Sequence, residues 1–266
     1  MFFFKHYYGS TEFINGAPRF CIWVTDERRS EAEDIVPLAD RFQSVRSFRA
    51  SSKAKETRPA AAYPHRFRQI QGAPGTDTII VPIHTSENRE YLPVGTLTGN
   101  SIVSNAAYAL YDAPLWNMAL IASRLHLVWI GTVCGKLKTD YRYSNTIGWN
   151  TFPVPTLTEQ NKRDLTRTAE DILLAREAHL PATIADLYDP EAMPADLRAA
   201  HERNDDVLER IYIGRRFKND TERLEKLFEL YTQMTAAKKS PSPQPSPRSG
   251  REPEKKKRAP RKKKEE

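Results

Sequence analysis

The sequence predicts an α+β fold: a mixed sheet-and-helix unit, then a small helical bundle, then a disordered basic tail. Three observations carry this. A long apolar helical stretch runs directly into alternating polar and aromatic residues, Gly135 to Pro155. After Pro155 the apolar spacing becomes that of amphipathic helices. Past Ala236 apolar residues almost vanish and Lys and Pro take over. The divisions implied are residues 1–155, 156–235 and 236–266.

Taken in order, the aromatic start from Phe2 to Tyr8 predicts a strand. Asn15-Gly16, set between Phe13-Ile14 and the apolar run Phe20 to Val24, predicts a hairpin, because both residues tolerate positive φ. Ile35, Leu38, Phe42 and Val45, three or four apart, predict a helix from Asp34 to about Arg49, with Arg41, Arg46 and Arg49 on its exposed sides. A loop containing Pro59, Pro64 and Gly72 to Gly75 follows, then strands at Thr78 to Pro82 and near Leu92 to Leu97. Asp112 is the expected cap of one helix to about Val133, with Pro114 in its first turn. That helix is apolar on most sides and so should be buried. His126 within it reads as a packed histidine rather than a catalytic one. Thr158 to Leu180, Pro194 to Tyr212 and Asn219 to Met234 predict three further helices, separated by Pro181, Pro190 and Gly214. His201, Glu202, Asp205 and Asp206 have helical spacing suited to a metal, but read as a solvated face.

Gly135 suits a helix C-cap, and the β-branched and aromatic residues after it favour extended backbone. In a single strand, Lys136, Lys138, Asp140 and Arg142 would share one face, with Leu137, Thr139, Tyr141 and Tyr143 on the other. Such a polar row can read base edges, since Lys or Arg donates to guanine O6 and N7 and Asp accepts from cytosine N4. On spacing alone, an edge strand charged against aggregation accounts for it as well or better. Arg89 could reach DNA from a loop or pair with Glu87 or Glu90. Asn105 could read a base through its amide or simply make a turn.

The formal net charge of +7 is carried by the tail. Residues 236–266 hold 12 basic and 4 acidic side chains, whereas residues 1–155 hold 17 and 13, and residues 156–235 hold 12 and 17. Arg41 to Arg68 alone has 8 basic residues against Glu56, a density that suits phosphate contacts or a mobile, solvated loop. Cys21 and Cys134 are the only cysteines, which excludes a disulfide framework or thiolate zinc site and fits a reducing cytoplasm. No apolar run reaches the roughly 18 residues of a membrane span, and the start lacks a signal-peptide pattern.

Ser123 to Pro155 resembles the end of the target recognition domain of MmeI-like type IIL enzymes, which combine restriction with adenine methylation. Gly9 to Trp23, Arg58-Pro59, Pro82 to Pro93 with Ser86-Glu87-Asn88-Arg89, and Val103 to Asn105 are similar to the same domain in the same order. Leu187 to Met234 is similar to the family's helical C-terminal region. The collinear likeness spans about 230 residues. It implies that Lys138 and Asp140, a variable pair before Tyr141-Arg142-Tyr143-Ser144, read a G·C pair, Lys138 to guanine and Asp140 to cytosine. Arg142 is the next base contact implied. Tyr141, Tyr143, Ser144 and Asn145 belong to the shared frame, and Lys136, Arg58, Arg89 and Asn105 are further candidate contacts.

The family's methylation uses an Asn-Pro-Pro-aromatic loop to hold the flipped base and a glycine-containing turn for S-adenosylmethionine, and its nuclease uses clustered carboxylates with a Lys. These motifs do not occur in these residues. The expectation is therefore a double-stranded-DNA recognition module that itself has no catalytic residue, metal or cofactor and serves a methyltransferase domain or subunit. The other reading is a degenerate or split-gene fragment acting only through protein interaction, with its acidic helical region as the docking surface.

Overall fold

The computed structural model describes residues 3–70 and 77–239. The expected glycine loop Gly72 to Gly75 and the predicted tail beyond Lys239 lie outside the described residues.

Strand β1 (Phe4–Tyr8) leads into a short helix α1 (Ser10–Ile14), and β2 (Arg19–Ile22) returns antiparallel to β1. Asn15-Gly16 therefore does not turn a hairpin: Asn15 caps α1, and Gly16 takes the positive φ of 63° that lets the chain leave the helix. Helices α2 (Arg29–Glu33) and α3 (Val36–Ala50) follow. Leu38 and Phe42 of α3 pack with Phe3, Val24 and Ala32 into a small N-terminal core.

β3 (Thr78–Pro82) is buried throughout and lies between β5 (Gly95–Leu97) and β7 (Ala107–Tyr111), antiparallel to both. β4 (His84–Thr85) leaves this sheet to join another, and β6 (Ser101–Val103) runs parallel to β1. The predicted apolar helix is two helices, α4 (Trp116–Ile121) and α5 (Arg124–Val133). Ser123 causes the break: its Oγ donates to the Leu120 carbonyl at 2.7 Å and accepts the His126 N–H at 3.1 Å, so it caps the second helix. Asp112, the expected cap, instead sits in a left-handed turn with φ 54°.

β8 (Gly135–Leu137) and β9 (Asp140–Arg142) come next, followed by a π-helical turn at Asn145–Trp149. Three long helices then close the fold: α6 (Glu159–Glu177), α8 (Ala195–Ile213) and α9 (Asp220–Lys239), with the short α7 (Ile184–Leu187) between the first two. The principal core runs across Pro155 without interruption. Leu165, Ala169 and Ile172 of α6 and Leu197, Ala200 and Leu208 of α8 are buried in one cluster with Met118, Ile121, Leu125 and Trp129.

Polar groups lock the same contact. Asn204 donates to the Ala119 carbonyl at 2.9 Å, and Arg176, only 6% exposed, donates to the Val94 carbonyl at 2.7 Å. His201 and Asp205 are buried too, which corrects the expectation of a solvated face there. His201 stacks on Tyr91 with ring centroids 4.2 Å apart, and Asp205 accepts the Arg124 backbone N–H at 2.8 Å. The other two residues of that quartet, Glu202 and Asp206, are exposed and half-exposed.

Candidate nucleic-acid interface

The alternating run after α5 does not form one strand. Leu137 pairs with Asp140, Lys136 with Tyr141 and Gly135 with Arg142, so β8 and β9 form a hairpin around Lys138-Thr139. Lys138 has φ 58° at the first turn position, the sign that two-residue hairpin turns require there. Gly135 accordingly belongs to β8, and Cys134 ends the helix.

Directly opposed residues of a hairpin project to the same side. Leu137, Asp140 and Arg142 therefore share a face, and Lys136 turns to the other with Tyr141. Lys136 Nζ lies 5.4 Å from the Tyr141 ring centroid and 3.0 Å from Glu87 Oε2. The predicted row of four is thus divided: Asp140 and Arg142 stay together, Lys138 stands at the tip and Lys136 leaves. Lys138, Asp140 and Arg142 are all exposed, and so is Leu137, at 55%.

The support beneath the hairpin is apolar and tight. Thr85 of β4 pairs with Tyr141, and the Tyr143 N–H donates to the Ile83 carbonyl at 2.7 Å. The Tyr141 ring lies against α5 at Gly131, where even a Cβ would come within 3.1 Å of it. Tyr143 is buried, its hydroxyl 3.0 Å from His126 Nε2. Burial holds that hydroxyl protonated and pushes the His126 pKa down to about 3, so this is a neutral pair.

Arg89 is half-buried in the loop behind the hairpin and donates to Thr85 Oγ1 at 3.2 Å. The acids expected as its partners are engaged elsewhere, Glu87 with Lys136 and Glu90 with Arg198. Burial lowers the Arg89 pKa, and the Asp140 and Asp189 carboxylates oppose that shift.

Asn105 and Asn145, far apart in sequence, line one cleft of about 440 Å³ with Tyr7, Trp23, Phe67 and Gln69. Ser144 accepts the Gly148 N–H at 2.6 Å and so holds the turn that carries Asn145. Aromatic residues of this cleft such as Phe67 and Trp23 had no spacing signal that could mark them in advance.

Part of the basic cluster is structural. Arg49, expected on an exposed side, is half-buried and donates to the carbonyls of Ala60 and Tyr63 at 2.9 Å and Arg66 at 2.8 Å. It pins the loop to α3. Arg58 is exposed and donates to the Ser52 carbonyl at 2.8 Å, while Arg41, Lys53, Lys55 and Arg68 also face solvent. Among the described residues, no helix is long and apolar enough to cross a membrane.

A family described as the MmeI target recognition domain matches residues 2–156, and one described as the MmeI C-terminal domain matches residues 157–238. DNA methyltransferase A of Bacillus subtilis (strain 168) is 38% identical over 233 residues, covering 88% of this chain and 26% of that protein. A solved structure of the type IIL restriction-modification enzyme MmeI in complex with DNA matches with a TM-score of 0.82 and 35% identity, over 88% of this chain and 31% of that one. The chain thus spans about a quarter to a third of the length of these relatives. With the two domains matched end to end along it, the chain belongs to the MmeI family and carries its target recognition and C-terminal domains.

Proposed function

We propose that this chain recognises a specific double-stranded DNA sequence on behalf of an adenine methyltransferase. Lys138 donates to guanine O6 and N7, Asp140 accepts from the N4 amino group of the paired cytosine, and Arg142 contacts a neighbouring base. The supporting observation is the exposed hairpin: two side chains of opposite hydrogen-bonding character at its tip, braced by buried Tyr143 and by α5. Readout needs donors and acceptors held to a fraction of an ångström, and a two-residue turn on an apolar helix supplies that stiffness. Exposed cations such as Arg58 and Arg68 would meet phosphates and add affinity without sequence information.

The methyl donor, S-adenosylmethionine, does not fit the residues present, whose sequence lacks the glycine turn that would hold it, just as it lacks the Asn-Pro-Pro-aromatic loop that would hold a flipped base. Methyl transfer is therefore assigned to the methyltransferase domain or subunit that this module serves.

The test is binding to a randomised duplex pool, followed by titration of the selected duplex with salt. Affinity should fall steeply with salt, and mismatches should cost about 1–3 kcal/mol each. Equal affinity for all duplexes, or binding that disappears when residues 236–266 are removed, overturns the reading.

A further inference from the structure

Leu137 is the one large apolar side chain on the face that carries Asp140 and Arg142. Its place there follows from the hairpin register, because a continuous strand would have turned it inward with Tyr141. It is 55% exposed, on a three-residue strand flanked by Lys136 and Lys138. Inward anchoring of this small sheet is provided by Tyr141 against Gly131 and by Tyr143 against His126, so Leu137 is not needed for the core.

We infer that Leu137 is a specificity residue that packs against the 5-methyl group of a pyrimidine, thymine in unmodified DNA. This deepens the proposed DNA reading and rests on it. In the major groove a thymine presents a methyl group, and an apolar side chain is its natural partner. Opposed hairpin residues lie about 4.5–5.5 Å apart, between one and two of the roughly 3.4 Å steps between bases on one strand, which is within reach of a neighbouring base. With Asp140 at a cytosine, Leu137 falls over an adjacent base. An aliphatic group there gains by removing a methyl from water and gives nothing to a uracil, which presents bare C5–H.

The experiment uses the full chain and the duplex recovered from the randomised pool, with each thymine replaced in turn by deoxyuridine. One substitution near the G·C pair read by Lys138 and Asp140 should weaken binding about fourfold, the value of one buried methyl group. In Leu137→Ala the thymine-to-uracil ratio at that position should fall to about one, and in Leu137→Met it should persist. Discrimination at the G·C pair should survive in both variants, which separates lost methyl contact from a disturbed hairpin. At the same position, 5-methylcytosine should bind better than cytosine in the wild type and not in Leu137→Ala.

No uracil effect at any position, or an effect that persists in Leu137→Ala, overturns the assignment while leaving sequence-specific binding intact. If the wild-type chain selects no sequence at all, the DNA reading itself falls, and this inference with it.

Discussion

Nε2 of His126 and the hydroxyl of Tyr143 meet at 3.0 Å inside the protein, joining helix α5 to the residue that follows β9. His126 Nδ1 has no hydrogen-bond partner among the described residues, so this is the imidazole's one side-chain hydrogen bond there. Tyr143→Phe would leave a buried ring with neither nitrogen satisfied. The expected cost is about 1–3 kcal/mol, read by urea denaturation. Because Tyr143 seats the hairpin, the variant should lose discrimination between duplexes more than it loses non-specific affinity. Wild-type stability in Tyr143→Phe would show that the bond contributes nothing.

Lys138→Glu combined with Asp140→Arg exchanges donor and acceptor at the hairpin tip. The preferred base pair at one position should invert, at a cost of about 1–3 kcal/mol against the original site. Lys138→Gly separates shape from chemistry. Glycine accepts the positive φ at that turn without strain, so the fold should be at least as stable while the guanine preference is lost. Competition binding with the four base pairs at that position reads both variants, and unchanged preference in both rejects Lys138 and Asp140 as the readers.

Two buried groups give the stability opposite pH slopes. The His126 pKa is lowered from 6.5 to about 3, so its contribution is complete above the unfolded value and is lost as pH falls from about 6.5 toward 3. Burial raises Asp205 from 3.8 to about 7, so its contribution is complete below the unfolded value and is lost as pH rises through about 7. Asp205→Asn keeps an acceptor for the Arg124 N–H and removes the charge. It should stabilise the protein relative to wild type near pH ~8, with the gain shrinking toward pH ~4. A gain independent of pH would assign the effect to packing instead.

Arg176 and the buried face of α6 tie the two family domains together. A fragment ending at residue 156 would expose the surfaces of Met118, Ala119 and Ile121, which now lie in one core with residues of α6 and α8. It should lack a cooperative thermal transition and bind a hydrophobic dye. Within the full chain, Arg176→Met should be less damaging than Arg176→Ala, because methionine fills much of the volume once the charge is removed. A fragment that melts cooperatively would show the first domain to be self-sufficient.

The long helices were legible because each carries its own apolar spacing, as Leu38, Phe42 and Val45 do for α3. Thr158 capped α6 as its type suggests, accepting the Asn161 N–H at 3.1 Å. The short strands β6 and β7 went unseen, since Ser101–Val103 and Ala107–Tyr111 show no alternation strong enough to separate them from loop. The hairpin was missed for a related reason: Lys138-Thr139 lacks the Asn-Gly or Asp-Gly pair that usually marks a two-residue turn, while Asn15-Gly16 has that mark and ends a helix.

By itself the sequence determined the α+β class, the buried helical support and the helical C-terminal region. These are local properties, written in periodicity, caps and composition. Only the tertiary structure decided which side chains share a face. Reversing the chain at Lys138 placed Leu137 beside Asp140 and sent Lys136 across to Glu87, and folding α8 against α5 buried Asp205. Those outcomes depend on pairings between residues distant along the chain, and spacing within one segment carries no information about them.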